Sequence, residues 1–159
     1  MKHEHPTIYP GYDFRGKCPC KPGDKITCVV SVEAGYSNYA GNPVCVFKPG
    51  MVGIVVATDS VSVRYGPYGE DVGVNVNFTG PAHGKEGGTT WRVFLRYGNL
   101  KVIERAKLTS PQRETFSKIA TIARCFGRGG VTKQMGASLV SAGLAVINGN
   151  SISSAIGYP

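Results

Sequence analysis

The sequence has no apolar run long enough to cross a bilayer. Its longest apolar-leaning stretch, Ala137–Ile147, is broken by Ser138, Ser141 and Gly143 and falls short of the ~20 residues that a spanning helix needs. No secretory apolar region follows Met1: MKHEHPTIYP is polar and carries Pro6 and Pro10, so neither a signal peptide nor a membrane anchor is expected. Acidic residues are scarce, 10 against 18 Lys and Arg, and the resulting net charge of +8 suits a polyanionic partner such as nucleic acid. Histidine is almost missing beyond the first residues. His83 alone lies outside the N-terminal arm, which leaves a cysteine nucleophile short of a base. There is no G-x-S-x-G and no G-x-x-x-x-G-K-[ST], so neither a serine-hydrolase elbow nor a P-loop is present. Glu70-Asp71 is the only acidic doublet and reads as a solvated loop. The five cysteines (Cys18, Cys20, Cys28, Cys45 and Cys125) are odd in number and form no evident disulfide framework, so reduced thiols in an intracellular or virion-associated protein are expected.

What the chain does have is glycine, 22 residues, with 10 prolines, the punctuation of short strands and tight turns. Between Lys21 and Lys101 apolar residues alternate with polar ones in short runs: Ile26, Cys28, Val30; Val72, Val74, Val76, Phe78; Trp91, Val93, Leu95, Tyr97. These spacings predict strands over Lys25–Val32, Met51–Ala57, Val61–Tyr65, Val72–Phe78, Trp91–Tyr97 and a short closing strand around Asn99–Ile103. Thr58-Asp59-Ser60 is read as a hairpin turn, and Glu33–Pro43 and Thr79–Thr90 as loops. Residues 1–20 read as an extended arm, broken by Pro6, Pro10, Gly11, Gly16 and Pro19 and carrying Tyr9, Tyr12 and Phe14.

The pattern changes at Thr109. Ser110-Pro111 opens a helix, with Ser110 as N-cap, an apolar face of Phe116, Ile119, Ala120 and Ala123, and Gly127 as C-terminal cap. Thr132 caps a second helix over about Lys133–Ile147, and Ser151–Gly157 is read as one further helical turn. From Glu104 to Lys133 seven basic residues face only Glu104 and Glu114, and no charged side chain follows Lys133. A charge-free end must pack, either on its own barrel or on another subunit.

The residues Lys21-Pro22-Gly23-Asp24-Lys25-Ile26, Pro49-Gly50-Met51-Val52-Gly53-Ile54-Val55-Val56 and Val61-Ser62-Val63 resemble the opening of an SH3-like barrel of the KOW type. Trp91–Leu95 with Asn99–Val102 is similar to the last two strands of such barrels. The resemblance covers about half the chain and departs from a typical unit by the inserted Glu33–Phe47 segment and the long Gly80–Thr90 loop. It implies an SH3-like small β-barrel at 21–108, which with the arm at 1–20 and two or three short helices at 109–159 makes the expected fold mainly β with C-terminal helices (α+β). It also implies a tendency to bind RNA, DNA or protein within larger assemblies, and brings no catalytic residue.

The expected function is that of a non-catalytic structural or adaptor protein, a basic module in a nucleoprotein or virion-type assembly. The alternatives are a free-standing RNA- or DNA-binding module and, more distantly, a zinc- or cysteine-dependent enzyme. Candidate nucleic-acid contacts are Arg64, Tyr65, Arg92, Arg96, Tyr97 and Lys101 on the strands, and Arg113, Lys118, Arg124, Arg128 and Lys133 beyond them. Candidate subunit contacts are Tyr9, Tyr12 and Phe14 in the arm and Met135, Leu139, Leu144 and Ile147 in the charge-free end. Expected partners are other protein subunits, a second copy of the chain among them, and nucleic acid, with no membrane and no cofactor. Cys18, Cys20, Cys28 and Cys45 come nearest to a metal set, but their spacing is not that of structural zinc, and Cys28 falls in phase with Ile26 and Val30 as a core residue.

Overall fold

In the computed structural model the described residues are 18–34, 45–62, 71–81, 88–127 and 130–155. Five strands form one antiparallel sheet: β1 (Lys25–Cys28), β4 (Gly53–Ser62), β5 (Asp71–Pro81), β6 (Gly88–Arg96) and β7 (Leu100–Glu104), in the order β6-β5-β4-β1-β7. A short hairpin, β2 (Val32–Ala34) paired with β3 (Cys45–Phe47), lies across it. The alternation decides which side chains go where. Val55, Val76 and Val93 stand in register on one face, as do Phe78 and Trp91. With Ile26, Cys28, Phe47 and Leu95 they form the first core, in which the Phe47 and Phe78 rings lie 4.7 Å apart.

The sheet does not close into a barrel. Its edges, β6 and β7, share no ladder and are joined by the 3-10 turn Tyr97–Asn99. Four residue steps reach at most about 14 Å, so the sheet curls until its edges approach. Asn99 instead prolongs the β1–β7 pairing beyond Cys28 and Leu100: its carbonyl accepts from Val29 N–H (2.9 Å) and its side chain from Val30 N–H (3.0 Å). Nor is there a hairpin at Thr58-Asp59-Ser60. The backbone runs through it as one ten-residue β4, and the pairing with β5 absorbs the mismatch as register shifts between Val55 and Ser60.

The C-terminal segment corrects the all-helical expectation. It holds two helices, α1 (Ser110–Thr121) and α2 (Lys133–Ser141), and a three-stranded sheet of β8 (Arg124–Cys125), β10 (Ser151–Ser154) and β9 (Ala145–Asn148) in that order. Gly143, at φ 76°, ends the second helix early. The β-branched Val146, Ile147 and Ile152 then pair as strands around a two-residue Gly149-Asn150 turn, with Gly149 at φ 58°. Gly127 does not cap α1, which stops at Ile122, but turns the chain after β8 at φ 103°.

Phe116, Ile119 and Ala120 of α1, Leu139 of α2, and Leu144, Ala145 and Ile152 form a second core against Ile54 and Val56 of β4. One strand thus serves both cores: Val55 points into the first, and its neighbours point into the second.

Candidate functional site: a groove between the two helices

The two helices begin in the same way. Thr109 caps α1 with a capping box: its hydroxyl accepts from Gln112 N–H (3.3 Å), and the Gln112 side chain accepts from Thr109 N–H (2.8 Å). Thr132 caps α2, accepting from Met135 N–H (3.2 Å). Between them runs a shallow groove made of two cavities. One, of about 290 Å³, is lined by Thr115, Lys118, Arg124, Val131, Thr132 and Met135. The other, of about 280 Å³, is lined by Thr109, Gln112, Thr132, Gln134, Met135 and Ser138. They share Thr132 and Met135, so a basic end continues into an uncharged, hydrogen-bonding end.

Lys118 and Arg124 are exposed, and Lys133 is the exposed first residue of α2. Lys118 sits 3.4 Å from Glu114 in an i,i+4 pair with both side chains in water. Such a pair is worth about 0–1 kcal/mol, so the ammonium remains able to turn to an anion.

The other basic candidates divide sharply. Arg113 is structural. Its guanidinium donates to Asp24 Oδ1 (2.9 Å) and to the carbonyls of Pro22 (2.8 Å) and Ala106. Asp24, buried in the turn before β1, also accepts from Lys21 N–H (2.9 Å) and Ala106 N–H (2.9 Å). Burial alone would raise the Asp24 carboxyl, but Arg113 and the two backbone donors outweigh it and hold the group below the usual carboxylate range. Arg92 is turned in as well, donating to Asn77 Oδ1 (3.0 Å) and to the Ala120 carbonyl (3.0 Å), and so ties β5 and β6 to the end of α1. Tyr97 is buried in the first core and offers no stacking face. Arg96 is half-buried at the end of β6, and Lys101 is exposed on the edge strand β7. Arg64, Tyr65 and Arg128 lie outside the described residues.

No protein family, curated protein or solved structure matches this chain. The site is therefore read from its own residues.

Of the subunit-contact candidates, Leu139 and Leu144 are spent on the chain's own second core, because the charge-free end folds back onto α1 and β4. Met135 is half-buried at the groove, and Ile147 is exposed. Beside it the structure exposes Val140 and Val146, which helical spacing over 133–147 did not single out because it assumed one continuous helix. Tyr9, Tyr12 and Phe14 lie outside the described residues.

The four-thiolate set does not assemble. Among the described residues no three Cys, His, Asp or Glu side chains gather as a metal group. Cys28 is a core residue whose thiol donates to the Phe47 carbonyl (3.3 Å), and burial pushes it up, as it does Cys45. Cys18 and Cys20 do meet, with their sulfurs 4.0 Å apart. Among the described residues no helix is long and apolar enough to cross a membrane.

Proposed function

We propose that this chain is a non-catalytic binding module of a larger nucleoprotein or virion-type assembly, and that it holds a nucleic-acid strand along the groove between α1 and α2. The observation that carries this is a division of labour among the basic side chains. Arg92 and Arg113 are consumed inside the fold, whereas Lys118 and Arg124 line one cavity and Lys133 stands exposed at the head of α2. Phosphates would take the basic end, and Thr109, Gln134 and Ser138 at the uncharged end supply hydrogen bonds that tolerate many sequences. The SH3-like resemblance belongs to the same reading. It is supported by a meander, β4 to β6, whose following strand β7 returns to pair with β1, and by a hairpin inserted after β1 where the sequence departs from the family pattern. The exposed Val140, Val146 and Ile147, on and beside the edge strand β9, support contact with another subunit.

Fluorescence anisotropy with labelled single-stranded RNA and DNA tests the proposal. The expected result is binding whose logarithm falls linearly with the logarithm of salt, and which is abolished by Lys118→Glu with Arg124→Glu. Binding that is flat across the salt titration, or indifferent to the charge reversal, overturns it.

A further inference from the structure

A second site lies in Cys18-Pro19-Cys20, whose residues line neither cavity of the groove, and does not depend on it. The Cys18 thiol donates to the Cys20 carbonyl (3.2 Å), and its sulfur lies 4.0 Å from the Cys20 sulfur. The bend that brings them together is held from both sides. Arg105 Nη1 donates to the Pro19 carbonyl (3.0 Å), and the next residue, Lys21, is tied through its N–H to the buried Asp24. Cys20 is 3% exposed and packs in the first core, while Cys18 is half-buried at its margin, which leaves one sulfur accessible from solvent.

We propose that Cys18 and Cys20 form a two-coordinate site for a soft monovalent metal ion, Cu(I). Two metal–thiolate bonds of about 2.3 Å each, meeting at a wide angle, span a gap of this size. Opening them to a line moves the sulfurs apart by roughly half an ångström. Thiolates select soft ions. Zinc takes four ligands, and no third Cys, His, Asp or Glu joins the pair among the described residues. Binding is an exchange without redox change: one Cu(I) replaces two thiol protons, which leave to solvent, and the resulting bis-thiolate carries one negative charge. The Arg105 guanidinium on the Pro19 carbonyl favours that charge, against the burial of Cys20 and the nearby Asp24 carboxylate, which the metal–sulfur bonds have to outweigh.

The test is anaerobic titration of the full, reduced chain with Cu(I) held by a competing chromophoric chelator. The background is Cys125→Ser, because Cys125 is the exposed thiol elsewhere on the surface. The expected result is uptake of a single equivalent with growth of thiolate-to-copper absorption, both lost in Cys18→Ser and in Cys20→Ser. Cys18 is half-buried, so Cys18→Ser keeps the fold, checked by circular dichroism, even where Cys20→Ser weakens it. No stoichiometric uptake, or uptake unchanged by Cys18→Ser, overturns the proposal. So does a tetrahedral thiolate spectrum with Co(II), which would require ligands beyond the pair.

Discussion

At the residue scale, the most consequential pair is Asp24 with Arg113. From the sequence, Asp24 is a turn former and Arg113 one of seven basic residues spread over Glu104–Lys133, with nothing in their spacing to link them. They are 89 positions apart and meet only because α1 folds back beside the turn before β1. The carboxylate gathers two backbone N–H groups and the Arg113 guanidinium, with Arg105 at 3.9 Å, so removing its charge strands Arg113 inside the fold. Asp24→Asn is expected to cost about 3–5 kcal/mol, read as a lower denaturant midpoint. The pH dependence has a definite sign. The folded carboxyl titrates below its unfolded value near about 4, so its contribution is complete above that value and disappears as pH falls through the lower folded one. The native chain should therefore lose stability on acidification from about pH 5 to about pH 2, and the Asn variant should lack that part of the slope. The buried Cys28, by contrast, was legible from alternation with Ile26 alone, because a strand's faces are set by local geometry.

At the scale of elements, the N-terminal caps were legible to within a residue. Ser110 was expected as the first cap, but the backbone places Thr109 there, since only its side chain closes the reciprocal pair with Gln112. Thr109→Ala should lower stability by about 0.5–2 kcal/mol, and Ser110→Ala by much less, as thermal melts of the two variants would show. Gly136 is, by propensity alone, a weak point in α2. It is instead a contact: a Cβ there would come 2.6 Å from Phe126 Cε1 and 3.2 Å from Ile152 Cδ1, so the helix lies close on its neighbours because the side chain is missing. Gly136→Ala, although it favours helix by about 1 kcal/mol intrinsically, should destabilise the protein through this crowding. A gain in melting temperature would contradict the packing. Most of β9 and all of β10 were read as helix because Ala, Gly, Ser and Val populate either state, and pairing partners decided between them.

At the scale of the whole molecule, the two cores meet across β4. Val55 belongs to one, and Ile54 and Val56 to the other, so neither side of the sheet can be lost without baring the second. The lone Trp91 lies in the first core and reports on it by fluorescence. Phe116→Ala, entirely within the second core, should cost about 3–5 kcal/mol and shift the Trp91 transition and the far-ultraviolet dichroism transition by the same amount. Separate midpoints would show two independent units. The groove is also a property of this scale. Lys118 and Arg124 are close in sequence, but Thr132 and Met135 reach them only because α2 returns across α1 through β8.

Local information was sufficient for β1, β5, β6 and β7, for the two helix starts and for the burial of the alternating face, because periodicity and capping act within a few residues; β2 and β3 escaped it, and β4 was split by a turn that the fold does not make. Three matters needed the folded chain. The sheet stays open, with Asn99 bonded across to Val29 and Val30 beyond β1 and no ladder between β6 and β7. Arg92 and Arg113 become struts, while Lys118 and Arg124 stay at the surface. The uncharged end forms strands that bury Leu144 and Ile152 at home. Each depends on groups tens of residues apart competing for the same hydrogen bonds or the same apolar surface, and that competition leaves no mark on the spacing of residues along the chain.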